Sequence, residues 1–516
     1  MKKLFILLFT AVTIFSCSED FLDQSSQTNI AESNFWKSET DAFLALNAVY
    51  SSLQSRNLYG GTLNGGQGLP GYDCLSDNAF NAWKWEGPGK FMEGTLDPSY
   101  GWLEGIWNDS YQAINRINSV IKNVTDISED LVSPETKKEL LGQAYFLRAL
   151  TYFNLAVYFE EVPLIIAPQT LDEAFVAKNT YAEINTQIIE DLKFASENLP
   201  VSHSSNLLGY ATKGAALGLF ARVQLYNKEY NGVFGVLNLT QQALGLGYSL
   251  HSDFAELFSQ AGETSSEIVF SIRFLRGDDT GNGEMFSATY KVSPKVDQQP
   301  MPNLVNDYYC TDGLPITSSP LYNPADKKQN RDPRAVATFF FKGDIFNEDL
   351  NKAFNENLAT KFGQRKYIRT KADAEGNNPW YEGSQDFYII RYADILLMRA
   401  EVLAETGDVS GAMSLINEIR ARVGMPKVED VEGPNLNQSE MIALVRHERR
   451  VELALEGLRF MDLKRWGEIE NGILISANDP IGPYNPQYLG DKSKVFPIPQ
   501  AEIDVNPNLI QNPSWK

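Results

Sequence analysis

Two glutamates near the C-terminal end of the chain have the spacing of a paired-carboxylate site. Glu448 and Glu452 are four positions apart within a stretch, Ser439 to Trp466, whose apolar residues recur at helical spacing as far as Leu458. On one helix the two side chains lie one turn apart, and like charges at that distance raise a carboxyl pKa, as general acid catalysis requires. Glu448 also falls on the apolar face, where a lone charge is costly.

The same stretch is rich in arginine, which favours a different interpretation of the two glutamates. Its five arginines are Arg446, Arg449, Arg450, Arg459 and Arg465. We therefore expect a buried ion-pair network rather than a catalytic dyad, because an arginine beside a carboxylate holds it in the charged form. A paired-carboxylate glycosidase has no further signal in the sequence, which contains neither a nucleophile elbow nor a phosphate-binding loop.

A second kind of chemistry, binding by aromatic rings, is indicated nearer the N-terminus. Trp83 and Trp85 stand among polar residues, glycines and prolines, in a segment with neither helical nor alternating period. Tryptophans in such segments are more often exposed than those on a periodic face, and an indole face attracts the C–H bonds of a sugar ring. Asn81 and Asp77 are candidates for binding its hydroxyls. We predict carbohydrate contact here, with ordinary loop packing as the alternative.

Further aromatic residues occur in turn-rich segments later in the chain. Trp380 and Tyr381, between a proline and a glycine, are a second candidate stacking pair, and Phe286 with Tyr290 is a third. Four nearby oxygen-bearing residues are possible calcium ligands: Asp278, Asp279, Asn282 and Glu284. Their spacing matches no EF-hand loop, so we favour a solvated turn.

Composition excludes several classes of function. The chain carries 45 Lys and Arg against 66 Asp and Glu, a formal charge of −21, whereas a nucleic-acid-binding protein needs a surplus of positive charge. Its three histidines, His203, His251 and His447, are too scattered for a zinc site or a histidine-based triad. We expect no metal, cofactor or nucleic acid.

The elements that must position these residues are mainly helices. Helical spacing predicts helices at 39–53, 103–123, 134–159, 181–199 and 212–228. Residues Ala393 to Pro426 form a 34-residue unit of two helices around Gly407, the length of one tetratricopeptide repeat. The prediction is a mainly α, tetratricopeptide-like scaffold of helix hairpins, at about 39–250 and 388–470.

Between these two parts of the scaffold the character of the sequence changes. Residues 251–387 contain a predicted strand at Ile268 to Phe274 and long loops rich in turn residues, typical of an irregular insertion with short strands. The Pro-rich residues 479–516 are expected to wrap the scaffold. We predict that residues 39–516 are a single domain.

The first residues have the pattern of an export signal followed by a lipid attachment site. Lys2 and Lys3 precede a short apolar run, and Cys17 follows it, as in a lipobox. We predict a signal peptide at 1–16, a lipidated Cys17, and a tether at 17–38 on which acyl chains hold the protein at a membrane. The other two cysteines, Cys74 and Cys310, are the only candidates for a disulfide, and their pairing stays open.

Four stretches of the chain resemble the SusD/RagB family of outer-membrane lipoproteins. They are Glu448–Trp466, Arg148–Leu164, Ala215–Leu225 and Tyr392–Arg420. The resemblance runs from Phe21 to the end of the chain, across the irregular residues 251–387. It is therefore the reason for assigning the insertion and the scaffold to one domain.

The resemblance also implies a function. Members of this family bind a nutrient at the cell surface and pass it to a TonB-dependent transporter of the SusC type, and they place glycan-binding aromatic residues in the loop before the helix that here begins near Leu103. We expect an outer-membrane lipoprotein that faces outward, binds oligosaccharide and is not an enzyme. The alternatives are a peptide-binding protein of the same architecture, a glycan-degrading enzyme and a periplasmic tetratricopeptide adaptor.

Overall fold

The computed structural model describes residues 35–61, 68–204, 207–276, 282–289, 298–347, 351–368, 382–479, 481–482 and 484–516. Within these ranges the α-helices are α1 Glu39–Leu53, α2 Gly87–Met92, α3 Gly101–Asp126, α4 Pro134–Phe159, α5 Tyr181–Asn198, α6 Lys213–Tyr226, α7 Val236–Leu244, α8 Phe254–Leu257, α9 Phe286–Thr289, α10 Pro302–Asp307, α11 Pro333–Thr338, α12 Tyr392–Glu405, α13 Val409–Arg422, α14 Val428–Val431, α15 Gln438–Glu452, α16 Arg459–Trp466, α17 Ile469–Asn478 and α18 Gln500–Val505.

The strands are short and pair in twos. They are β1 Ala79–Asn81, β2 Ile268–Ile272, β3 Gln298–Pro300, β4 Phe339–Phe340, β5 Ile345–Asn347, β6 Lys352–Ala353, β7 Gly363–Gln364 and β8 Phe387–Arg391. The antiparallel pairs are β1 with β3, β2 with β8, β4 with β7 and β5 with β6. The predicted mainly α class with short strands is confirmed.

The helices stack in chain order, as in a repeat scaffold. Helix α3 packs on α4, α4 on α5, α5 on α6 and α6 on α7, and α12 packs on both α13 and α15. Helix α12 also packs directly against α7, although residues 245–391 separate them in sequence. The insertion therefore leaves the helical stack unbroken.

Local signals in the sequence account for the helix starts. Ser38 and Ser133 accept hydrogen bonds from the backbone of the first turns of α1 and α4, and Pro134 occupies the first position of α4, where no intrahelical donor is needed. Capping boxes begin α5 at Thr180 and α15 at Asn437. None of the helices among the described residues has both the length and the apolar character needed to cross a membrane.

The stretch from Ser439 to Trp466 forms two helices. The prediction of a single helix from its apolar spacing is therefore wrong. Helix α15 ends at Glu452, and Leu455 and Gly457 adopt φ values of 63° and 77° before α16 begins. Lys366 donates to the carbonyl groups of Glu452 and Ala454 at 3.2 and 2.9 Å, which supplies donors to the freed helix end. The apolar spacing continues across the break because Leu455 is buried in the turn as well.

The insertion joins the scaffold through β-pairing and a shared core. Strand β8, which is wholly buried, pairs with β2 and leads directly into α12. Phe339 and Tyr308 of the insertion pack with Val451 and Leu455 in one apolar cluster. This contact places the insertion against the turn between α15 and α16.

Candidate functional site

The predicted aromatic segment is a turn between a short strand and a helix. Strand β1 ends at Asn81, and α2 begins at Gly87 with Pro88 in its first turn. Strand β1 is held by β3, with Asn81 opposite Gln298. The turn from residue 82 to residue 86 is therefore fixed at both ends.

Asn81 and Glu86 close this turn from the inside. The Asn81 Oδ1 accepts from the backbone N–H of Trp83 at 2.9 Å, and its Nδ2 donates to Glu86 at 3.2 Å. Both side chains are buried, and burial raises the pKa of Glu86 to about 7 against the opposing hydrogen bond from Asn81. Asn81 thus positions the turn instead of being open to a ligand.

Trp83 and Trp85 stand together on the outside of the turn. Their ring centroids are 4.5 Å apart and their planes meet at 47°. Trp85 is 57% exposed, and Trp83 is partly exposed. The two indoles form an aromatic surface that a ligand can reach, which we call the Trp83–Trp85 pair.

Polar and aromatic contacts support the pair from behind. Tyr100 donates its hydroxyl hydrogen to the carbonyl of Trp85 at 2.8 Å, and Lys90 lies 5.2 Å from the centre of the Tyr100 ring. Lys84, between the tryptophans, lies 3.5 Å from the carboxylate of Glu93. These contacts hold the backbone of the turn from its two sides.

Glycine is required where this turn meets helix α3. A Cβ atom on Gly87 would lie 2.0 Å from the Trp102 ring, and one on Gly89 would lie 2.6 Å from the Cα of Lys84. Trp102 itself is buried in the main core. The indole of Trp102 therefore packs directly on the backbone that carries the exposed pair.

Asp77 lies beneath the site, not in it. Its carboxylate is fully buried and accepts from Arg459 at 2.8 and 2.9 Å and lies 3.0 Å from Arg450. Burial alone would raise the pKa of Asp77, but the two guanidinium groups lower it to about 2. We therefore assign Asp77 to holding the loop, since no oxygen of its carboxylate is open to a sugar.

The Glu448 carboxylate is neutralised as expected, but by different arginines. Arg334 of α11 lies 2.6 Å from it and Arg420 of α13 lies 2.9 Å from it. The Glu452 carboxylate forms salt bridges with the guanidinium groups of Arg334, Arg391 and Arg422, at N···O distances of 2.6 to 3.1 Å. Although burial opposes ionisation, these charges lower the pKa of Glu448 and hold that of Glu452 well below its usual range. Neither carboxyl is a proton donor near neutral pH.

The arginines between Ser439 and Trp466 form ion pairs with carboxylates other than those of Glu448 and Glu452. Arg449 binds Asp394 and Asp462, and Arg465 binds Glu401 and Asp462. Arg446 lies 3.5 Å from Glu405 and 4.8 Å from the centre of the Trp466 ring. The predicted ion-pair network is present, and it joins the insertion to scaffold helices α12, α13, α15 and α16.

Several predicted residues lie outside the described residues. These are Cys17, Asp278, Asp279, Tyr290, Trp380 and Tyr381. Phe286 is buried against Phe387, and the Glu284 carboxylate accepts from the backbone and hydroxyl of Ser287. Among the described residues no group of three or more His, Cys, Asp or Glu is placed to hold a metal ion. Cys74 and Cys310 are both buried, and they are not joined to each other by a disulfide.

Sequence reasoning missed the residues that shape the turn. Glu86 occupies the N-cap position, immediately before the Gly-Pro start of helix α2. This position is the one local sign that the Glu86 side chain points inward. The roles of Tyr100 and Gly87 depend on close approaches to Trp85 and Trp102, for which the sequence has no signal.

Comparison with known proteins covers most of the chain. A family model described as "SusD family" matches residues 266–515, and a model described as "Starch-binding associating with outer membrane" matches residues 74–225. The second range contains the Trp83–Trp85 pair and helices α3 to α6, and the first contains strands β2 and β8, the buried ion-pair network and helices α12 to α18.

Individual relatives align along three quarters or more of their length. SusD-like protein P25 of Formosa agariphila is 24% identical over 549 residues, covering 99% of this chain and 98% of the relative. The starch-binding protein SusD of Bacteroides thetaiotaomicron is 24% identical over 438 residues, covering 76% and 75%. The crystal structure of a SusD-like carbohydrate-binding protein from Bacteroides fragilis is 26% identical with a TM-score of 0.78, covering 92% of this chain and 100% of that one.

Proposed function

The chain belongs to the SusD/RagB family, and on that premise we propose that it binds an oligosaccharide on the Trp83–Trp85 pair and delivers it to a SusC-like TonB-dependent transporter. The observation that carries the proposal is the exposure of two adjoining indoles on a braced turn. A carbohydrate ligand is further supported by the names of the starch-binding and carbohydrate-binding relatives.

The geometry of the pair favours one shape of glycan. Sugar rings stacked on the two indoles would lie in planes that differ in direction by 47°. A flat, ribbon-like chain cannot lie on both faces at once, whereas a chain whose successive rings turn relative to each other can. We therefore expect preference for bent or helical glycans.

A glycan array with the purified protein tests this proposal and identifies the ligand. We expect binding to a bent glycan by the parent protein, and loss of that signal in Trp85→Ala. Hydroxyl groups contribute only ~0.5–1.5 kcal/mol each, so stacking should dominate the affinity. Equal binding of the same glycan by parent and variant would remove the pair from the site.

Anchoring by lipid is the second part of the proposal. The sequence pattern before Cys17 and the family description that mentions the outer membrane support it. Several acyl chains, at ~0.8 kcal/mol for each buried methylene, would retain the protein firmly. Radioactive palmitate should label the parent in cells but not Cys17→Ala, and protease added to intact cells should digest the parent. Labelling of Cys17→Ala would contradict lipid attachment at this residue.

Delivery to a transporter is the third part, and it is tested separately. We expect a SusC-like protein to co-purify with the chain from detergent-solubilised outer membranes. Deletion of the chain should lower the uptake of the glycan identified on the array. Unchanged uptake would contradict the proposed delivery to a transporter, but it would not contradict the proposed glycan binding.

A further inference from the structure

A second cleft shares no lining residue with the Trp83–Trp85 pair. It is formed by helix α1 with the adjoining Gln54, the segment 207–210 and the end of strand β2, and it has a volume of about 290 Å³. Leu207, Leu208 and Ile272 supply apolar lining, and Tyr50 and Tyr210 supply aromatic lining. The volume is near the lower limit of ~300–1,000 Å³ for ligand pockets, so the cleft fits one small residue of a ligand.

Its aromatic floor is rigid. The Tyr50 and Tyr210 rings are 5.2 Å apart at 54°, and each hydroxyl is held, that of Tyr50 by Gln143 and that of Tyr210 by Asn47. The backbone N–H of Ala211 also donates to the Tyr50 hydroxyl at 2.8 Å. A ligand therefore meets a preorganised surface.

Three polar side chains in the lining keep unused hydrogen-bonding atoms. Arg273 is engaged at its Nε, 3.4 Å from the buried Asp386, and among the described residues neither of its terminal nitrogens has a partner. Gln54 donates from its amide nitrogen Nε2 to the carbonyl of Arg273 at 2.7 Å, and its Oε1 has no partner among the described residues. Asn47 uses its Oδ1 on Tyr210 and likewise keeps its amide nitrogen free there.

The Arg273 side chain packs closely against the backbone at Gly209. Gly209 has a φ of 101°, and a Cβ atom there would lie 2.6 Å from the Cδ of Arg273. Glycine at this position therefore allows the positive φ and also leaves room for the aliphatic part of the Arg273 side chain. The side chain of Arg273 is 39% exposed, and its Nε lies 3.4 Å from the Asp386 carboxylate as an ion pair without a hydrogen bond.

We propose that this cleft binds a carboxylate-bearing sugar, such as a terminal uronic acid residue. The free edge of the Arg273 guanidinium fits a carboxylate with two parallel hydrogen bonds. The amides of Asn47 and Gln54 bind hydroxyl groups, and the Tyr210 ring packs on the sugar body. Recognition of the carboxylate follows from the cleft alone, while the choice of a sugar to carry it rests on the proposed function.

Calorimetric titration of the purified protein with digalacturonate tests the proposal. We expect binding that weakens about tenfold or more with the dimethyl ester, because the ester removes the charge that pairs with Arg273. Arg273→Ala should abolish binding, and Arg273→Lys should restore only part of it, since a lysine offers no planar pair of donors.

A second variant protects the test against misfolding. Leu208→Glu adds a negative charge in the lining at a side chain that is 53% exposed, so the core is untouched, and we expect about tenfold weaker binding. Leu44→Glu, also 53% exposed but outside the lining, is the matched control and should bind like the parent.

Three results would overturn the proposal. They are absence of digalacturonate binding at millimolar concentration, equal binding by Leu208→Glu and Leu44→Glu, and binding of trialanine in place of digalacturonate, which would make the cleft a peptide site. The array signal that depends on Trp85 is measured independently, so failure here is distinguishable from failure of the proposed function.

Discussion

Arg459 donates two hydrogen bonds to the carboxylate of Asp77, at 2.8 and 2.9 Å, across 382 positions of sequence. Arg450 approaches the same carboxylate from helix α15. The turn that carries the exposed tryptophans begins five residues after Asp77, directly after the end of strand β1 at Asn81. The C-terminal helices therefore hold the loop on which the proposed binding surface stands.

Loss of this carboxylate should destabilise the protein strongly. Asp77→Asn leaves Arg450 and Arg459 buried beside a neutral amide, and we expect a loss of ~3–5 kcal/mol in the free energy of unfolding, measured by urea denaturation. Asp126→Asn is the control, because the Asp126 side chain is 66% exposed and its ion pair with Lys122 lies at the surface. That change should cost less than ~0.5 kcal/mol.

The pH dependence of Asp77 follows from its lowered pKa. Its folded pKa of about 2 lies below the unfolded value of ~3.9, so the stabilisation is complete above pH ~4 and is lost as the pH falls through about 2. The stability difference between the parent and Asp77→Asn should shrink over that interval. A constant difference down to pH 2 would contradict the assignment.

The buried network around Glu452 should be a structural device without catalytic activity. Glu452→Gln leaves Arg334, Arg391 and Arg422 facing a neutral amide, for an expected loss of ~3–5 kcal/mol. Glu405→Gln, which breaks the looser 3.5 Å pair with Arg446, should cost less than ~1 kcal/mol. If Glu452 were half of a glycosidase pair, the parent would release reducing ends from a bound glycan and Glu452→Gln would not.

Two glycines with the same backbone conformation allow a clean test of the turn between α15 and α16. Gly457 and Gly467 both have a φ of 77°, but a Cβ on Gly457 would lie 2.7 Å from the carbonyl oxygen of Leu69, while one on Gly467 meets nothing within 4 Å. Gly467→Ala should cost ~1–2 kcal/mol for the conformation alone. Gly457→Ala should cost a further ~1–3 kcal/mol. Equal losses in thermal unfolding would show that the close approach to Leu69 is relaxed.

Glu86 should make the tryptophan turn sensitive to pH near neutrality. Its folded pKa, raised to about 7 by burial, lies above the unfolded value of ~4.3, so its stabilising contribution is complete below pH ~4.3 and is lost as the pH rises through about 7. We expect a change in tryptophan fluorescence near pH 7 that is larger in the parent than in Glu86→Gln.

The comparison with Glu86→Gln is needed because other buried carboxyls titrate nearby. Burial raises the pKa of Asp73 to about 6 and that of Asp386 to about 7. Both remain in the variant, so only the difference between the two titrations belongs to Glu86. A fluorescence transition of the same size in both proteins would assign it to those residues.

The helical scaffold was predictable because its signals are local. Ser133 and Pro134 mark the start of α4, and the hairpin around Gly407 has the length of one repeat, so caps and periodicity suffice. The exposure of Trp85 was also predictable, from the lack of any period around it.

The partners of the buried charges were not predictable from the sequence. Arg334 reaches Glu448 from the insertion and Arg420 reaches it from α13, and such long-range contacts leave no mark in the spacing of either residue. The inward orientation of Asp77 and the helix break after Glu452 also depend on long-range contacts. Apolar spacing reports burial, and Leu455 is buried whether or not the helix continues.

The central claim is that the Trp83–Trp85 pair is the surface on which a glycan binds. Calorimetry should compare the parent, Trp85→Ala and Phe175→Ala for the glycan identified on the array. Phe175 is a control of similar exposure, at 52% against 57% for Trp85. Loss of a stacking contact of ~2 kcal/mol predicts an affinity about thirtyfold weaker for Trp85→Ala, and Phe175→Ala should bind like the parent. Equal affinities for all three proteins would contradict the claim.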